Sequence, residues 1–193
     1  MKKKLFFSFF TLMFLQSIQL FGKKFEKYDS CFDGAFSSGF VFKNESKFKD
    51  VYGHGIINAI TADGCYYPWE RWGLGVKFSY WRRKGRTSFL QLGSIVQQMP
   101  FTLYLRRRKE FDCGLQLYAS LGGGIIWTKE KSYLGEVKFN KGIGEAEVGL
   151  CYTICHGVGL TSAFRYLFPR QSHNYQRVMV GGYDLRAGIS FSI

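Results

Sequence analysis

Four groups of residues have types and spacings that could do chemistry. Ser172 and His173 are adjacent, and a hydroxyl beside an imidazole is the smallest nucleophile and base pair for acyl transfer. Neighbours on an extended chain point to opposite sides, so this pair is poorly set to pass a proton. His54 and His156 have no acid or nucleophile at a useful spacing. Arg82, Arg83, Lys84 and Arg86 are crowded together, and guanidinium forks grip phosphate oxygens in pairs. The same run also reads as a solvated basic loop. A second basic run, Arg106 to Lys109, reads as solvated. The five cysteines, Cys31, Cys65, Cys113, Cys151 and Cys155, do not have zinc-site spacing. These groups imply no cofactor, no metal and no catalytic residue.

The elements that must position them begin with a leader. Lys2, Lys3 and Lys4 precede an apolar run from Leu5 to Leu15, broken only by Ser8 and Thr11. A basic start and a short apolar run make a secretory signal peptide, cut here near Gly22. The run is too short to span a bilayer, which needs about 20 apolar residues. Cys31 lies well past it, so a lipoprotein anchor is not expected. The division is therefore a signal peptide over 1–22, a short segment over 23–31 and one domain over 32–193. No later stretch is long enough for a membrane helix, so any crossing must be made by a closed barrel.

Composition points the same way. Aromatic residues make up 19%, with 23 glycines and only 3 prolines, which suits a barrel or sandwich of short strands. The formal charge is +13; the leader removes three lysines and no acid, leaving +10. Such a charge seeks an anionic partner, and export favours a phosphate-rich membrane surface over nucleic acid.

Alternation of apolar and polar residues marks eight strands. They run over about Phe32–Phe42, Gly53–Cys65, Trp72–Trp81, Phe89–Arg106, Phe111–Thr128, Gly142–Ile154, Val158–Phe168, and a last one ending at Ile193. Each is about as long as a tilted transmembrane strand, 9–11 residues, or longer. The clearest puts Trp72, Leu74, Val76, Phe78 and Tyr80 against Gly73, Gly75, Lys77, Ser79 and Trp81. Strand two has no clear parity. Pro100 interrupts strand four, where a bulge is expected. Lys43 to Tyr52 reads as a polar loop and Lys129 to Lys141 as the longest loop.

The polar face is mostly Gly, Ala and Ser with a few charges, which suits a narrow interior rather than a water-facing sheet. The expected fold is an all-β, antiparallel, up-and-down eight-stranded transmembrane barrel. Its lumen is just wide enough for side chains to fill. The charges on that face balance: Asp33, Glu145, Glu147 and Asp184 against Lys77, Arg106, Arg165 and Arg186. Buried charges must be paired, so the set reads as an ion-pair plug rather than a small leaky pore. The cysteines gather at the periplasmic end. Cys31 is expected near Cys65, and Cys113 near Cys151 or Cys155, leaving one thiol to link to a periplasmic partner or a second copy.

The last strand carries a resemblance. Arg186, Gly188, Phe191 and Ile193 are similar to the terminal assembly signal of bacterial outer-membrane barrels, though that signal usually ends in Phe or Trp. With the Gly-rich stretch Leu121 to Trp127, the whole mature chain resembles the small barrels of the opacity-protein and OmpA-type superfamily. The resemblance implies an outer-membrane monomer with short periplasmic turns, longer outer loops and roles from envelope anchor to adhesin. It implies the barrel assembly machinery, outer-membrane lipid and lipopolysaccharide as partners, with glycolipid phosphates at Arg82, Arg83, Lys84 and Arg86. Some small outer-membrane barrels modify lipid A, and the deacylase type carries His-x-Ser. Here the order is Ser172-His173 in a loop, so a non-catalytic protein is the expectation.

Overall fold

The computed structural model describes residues 31–43, 46–53, 55–69, 71–86, 92–155, 157–169 and 181–193. The leader, the segment 23–30, His54, His156, Ser172 and His173 lie outside the described residues.

Eight antiparallel strands follow one another round a closed barrel, and β1 closes on β8. They are β1 (Phe32–Phe42), β2 (Ile56–Trp69), β3 (Trp72–Arg86), β4 (Gly93–Glu110), β5 (Leu115–Ser132), β6 (Gly135–Cys155), β7 (Val158–Pro169) and β8 (Gly182–Ser192), with helix α1 (Ser46–Tyr52) between β1 and β2. Period-two alternation drives this arrangement. On β3, Trp72, Leu74, Val76 and Phe78 are exposed on the outer wall, while Gly73, Lys77, Ser79 and Trp81 are buried in the lumen. Phe36 and Phe40 on β1, Leu103 on β4, Leu121 on β5, Val148 on β6 and Leu160 on β7 continue the exposed apolar wall. A soluble protein rarely exposes so continuous an apolar surface. A bilayer requires it.

β2 turns Ile57, Ala59, Thr61, Cys65 and Tyr67 inward and Ile56, Ile60 and Tyr66 outward, which resolves the ambiguous parity. Several strands are longer than their apolar stretches. β3 continues through Arg86, so the expected basic loop is strand. β4 continues to Glu110 and contains Arg106 to Lys109, so the run expected to be solvated is strand, with Arg107 and Lys109 exposed but Arg106 and Arg108 buried. The expected loop from Lys129 to Lys141 is a hairpin, paired from Lys129↔Lys138 to Ser132↔Gly135 round Tyr133 and Leu134. The ladder needs only backbone groups, so it persists where the side chains become charged. No bulge forms at Pro100: the β3–β4 register is the same at Phe78↔Phe101 and Trp81↔Gln98. The β4–β5 ladder runs unbroken past Pro100↔Ile126. Register shifts fall instead at Tyr66/Trp69 and Thr153/Cys155, beside the short turns.

The other departure is α1, inside the expected polar loop Lys43 to Tyr52. Phe48 and Tyr52 are one turn apart and share a face, with ring centroids 4.8 Å apart. The Gly53 N–H closes the helix on the Lys49 carbonyl at 2.9 Å, in a left-handed conformation that glycine adopts freely.

Candidate functional site: lumen and outer rim

The middle of the lumen is filled with charge. Lys77 Nζ lies 2.9 Å from Glu145 Oε1 and 2.5 Å from Glu147 Oε2, with all three side chains buried. Arg186 also bonds Glu147, and Thr102 Oγ1 donates to Glu145 Oε2 at 2.9 Å. Arg165 Nε donates to Asp184 Oδ2 at 2.9 Å, and its Nη1 is 3.6 Å from Glu145. Arg106 Nη2 meets Asp63 Oδ2 at 2.5 Å and lies 3.7 Å from Glu147. Arg108 Nη1 meets Asp33 Oδ2 at 3.2 Å. Seven of the eight residues named from the sequence are joined by these bonds, with Asp63, into one lumen cluster, and the eighth, Asp33, meets Arg108. Asp63 was missed because the parity of β2 was unclear, and Arg108 because strand four was drawn to end at Arg106. The signal for Arg108 was present: Thr102, Tyr104 and Arg106 alternate inward, and 108 is the next such position.

Rings hold these cations in place. Arg106 lies between Tyr104 and Tyr118, 4.8 and 4.2 Å from their centroids, and Arg108 is 3.8 Å from Tyr67. Such contacts strengthen when they are removed from water. Glycine makes room for the rings. A Cβ at Gly75 would come within 2.3 Å of the Tyr104 ring, and one at Gly149 within 2.3 Å of the Tyr118 ring. The arrangement is a packed plug.

The outer mouth is closed by different chemistry. Phe48 and Tyr52 pack on Val41, Ile57, Ala59, Trp81 and Val96. The Tyr52 hydroxyl donates to Glu130 Oε1 at 2.6 Å and lies 2.9 Å from Ser94 Oγ. Burial first, and then the bond to Glu130, push this phenol well above its ordinary value. Lys43 Nζ is 4.9 Å from the Trp81 ring centroid and donates to the Gly181 carbonyl at 2.8 Å.

The basic run on β3 is divided by alternation. Arg82, Lys84 and Arg86 are exposed on the outer side, whereas Arg83 turns in and donates to the Tyr52 carbonyl at 3.3 Å. Facing partners extend this outer patch across the sheet, as Arg82–Gln97–Lys129–Lys138 and Lys84–Ile95–Lys131–Glu136. At about 4.8 Å per strand, Arg82 and Lys138 are about 15 Å apart. Glu136 sits 2.9 Å from Lys129, 3.1 Å from Lys138 and 3.3 Å from Lys131. The bond from Lys129 leads those that hold its carboxyl down at about 2. Arg82, Lys84 and Arg86 have no ion pair among the described residues.

The remaining expectations concern the periplasmic end. All five cysteines are free thiols, so none of the expected bridges is formed. Register explains why: Cys65 faces Asp33, not Cys31, and Cys151 faces Gln116, with its Sγ 2.9 Å from Ser190 Oγ. Cys65 and Cys151 fill the lumen, while Cys31, Cys113 and Cys155 are exposed. On β8, Arg186 points into the lumen, and Phe191 and Ile193 lie on the outer wall. A Cβ at Gly188 would come within 2.2 Å of the Phe36 carbonyl oxygen. Ile193 is bonded through its backbone to Cys31 and Phe32.

No protein-family model and no curated protein sequence matches the chain. Solved structures share its fold. Neisserial surface protein A is 11% identical, with a TM-score of 0.66 over 86% of this chain and 100% of that one. OprG of Pseudomonas aeruginosa is 12% identical, with a TM-score of 0.61 over 84% and 95%. The attachment invasion locus protein Ail of Yersinia pestis, solved with the heparin analogue sucrose octasulfate, is 16% identical, with a TM-score of 0.50 over 84% and 97%. The fold is that of small eight-stranded outer-membrane β-barrels.

Proposed function

We propose that the protein is an exported, non-catalytic outer-membrane barrel whose plugged body carries a cationic outer rim for anionic sugars and glycolipid phosphates. The observation that supports this most is the outward patch of Arg82, Lys84 and Arg86 with Lys129, Lys131 and Lys138. These six cations, with Glu136 as their one carboxylate neighbour among the described residues, keep a net positive rim. The packed lumen argues for an anchor or adhesin-like role over a pore. The exposed end of β8, with Phe191 and Ile193, is the part the barrel assembly machinery would read.

The reading is tested by titrating the reconstituted barrel with sucrose octasulfate and with lipopolysaccharide vesicles. Arg82→Gln/Lys84→Gln/Lys131→Gln should weaken binding about tenfold or more, because charge-assisted contacts to phosphate or sulfate oxygens are lost. Its salt dependence should fall as well. Equal binding by this variant and the native chain would refute the role of the rim.

A further inference from the structure

We infer that the outer wall holds a site for an anionic phospholipid of the periplasmic leaflet, with the headgroup at Arg107 and Lys109 and an acyl chain in a groove across β4 to β8. This site lies at the opposite end of the barrel from the cationic rim and does not depend on it.

An open groove of about 840 Å³ runs across this part of the wall. Register lays it out as two rows. Arg107 faces Ala119, which faces Val148, which faces Phe164, which faces Leu185. One step nearer the periplasmic turns, Lys109 faces Leu117, which faces Leu150, which faces Ser162. Ala119 and Ser162 are small, so they set a low floor between taller apolar neighbours. In a bilayer such a depression is filled by hydrocarbon, and one acyl chain has the flexibility to follow it.

The end of the groove selects the headgroup. Outward positions on β4 read Phe101, Leu103, Leu105, Arg107 and Lys109, so the wall passes from apolar to basic within one strand. That change marks the level where chains give way to headgroups. The Arg107 guanidinium is 5.5 Å from the Trp72 ring centroid and Lys109 Nζ is 5.2 Å from that of Phe111. The rings orient these cations on the outer wall without neutralising them. Neither has an ion pair among the described residues. The nearest acid on the strand, Glu110, is 3.4 Å from Arg108 and accepts from Gln116 at 3.1 Å. Two positions apart on one face, their Cα atoms are about 7 Å apart, a spacing at which one phosphodiester and its flanking glycerol can reach both side chains. Arg71, on the β2–β3 turn, lines the same end. A zwitterionic headgroup would bring its own ammonium to this cluster, so net-anionic lipid is preferred.

The test is electron spin resonance of the full barrel in phosphatidylcholine bilayers, with spin-labelled phosphatidylglycerol or spin-labelled phosphatidylcholine as probe. The motionally restricted fraction should favour phosphatidylglycerol about fivefold, the effect expected of one well-placed cation near a membrane surface. Arg107→Gln/Lys109→Gln should erase the preference. Lys49→Gln, on α1 and in neither site, should keep it. Ala119→Leu/Ser162→Leu should lower the restricted fraction of both probes. Heat-modifiability on a denaturing gel confirms that each variant is folded. No preference in the native chain, or an unchanged preference in Arg107→Gln/Lys109→Gln, overturns the inference. Equal loss in Lys49→Gln would show net charge alone at work and overturns it too.

Discussion

The middle of the lumen and its outer mouth are filled by opposite means. In the middle, Lys77, Arg106, Arg165 and Arg186 sit among Asp63, Glu145, Glu147 and Asp184 with almost no access to water. At the mouth, α1 lays Phe48 and Tyr52 on an apolar cluster and is held by a few polar bonds. The charges sit on strands and cannot leave without opening the barrel. The helix hangs on a connection and can leave alone. One chain therefore has a permanent plug and a separable cap.

The largest effect should come from breaking the plug. Glu147→Ala leaves Lys77 and Arg186 short of their shared carboxylate and should cost about 3–5 kcal/mol, the penalty of an orphaned buried charge. Denaturant unfolding of the reconstituted barrel measures it. Replacing Glu147 together with Arg186, as Glu147→Leu/Arg186→Met, should recover most of that loss, because Lys77 then keeps Glu145, Arg106 keeps Asp63 and Arg165 keeps Asp184. A Glu147→Ala loss within about 1 kcal/mol would class the cluster with solvated surface pairs.

The cap should fail separately. Phe48→Ala should weaken its closure by about 3 kcal/mol and leave barrel unfolding unchanged. Hydrogen exchange would show it, with amides in α1 accelerating about a hundredfold while β3 and β4 stay protected. Acceleration spread over the whole barrel would mean that plug and cap are one unit.

The smallest effect is one of pH. The Tyr52 phenol is raised in the folded chain by burial and then by Glu130. Its contribution to closure is whole below the unfolded value of about 10 and is lost as pH rises above it. The protection of the α1 amides, relative to their intrinsic base-catalysed exchange, should therefore fall as pH rises above about 10. Tyr52→Phe should weaken closure by about 1–2 kcal/mol through the lost bonds and remove this pH response.

The barrel was legible in the sequence because strand alternation is a local property. Trp72 to Trp81 could be assigned without any partner strand. The lumen charges followed from the same parity, since Lys77, Glu145 and Asp184 each occupy the polar phase of their strands. β2 was opaque because its inward positions Ile57 and Ala59 are as apolar as its outward Ile60. Its inward Asp63 stayed hidden for that reason. Strand ends were also illegible, because Lys129, Lys131 and Lys138 stand where the apolar wall ends while the backbone ladder continues. The cap was beyond reach. Seven residues are too few to declare a helix by periodicity, and the partners of Phe48 and Tyr52 come from β1 to β4.

One seam of the barrel differs from the other seven. Those join strands adjacent in the chain, whereas β1–β8 sets Asp33 opposite Ser192 and Phe42 opposite Tyr183. Closing it brings distant segments together, and contacts of long sequence separation form slowly. The seam should therefore close last, after the hairpins have zipped in order. Until then β1 and β8 are open edges that would pair with any other strand they met. The hazard of this molecule thus lies in time rather than in place: it belongs to the interval before the final seam shuts, and it vanishes once the ring is complete.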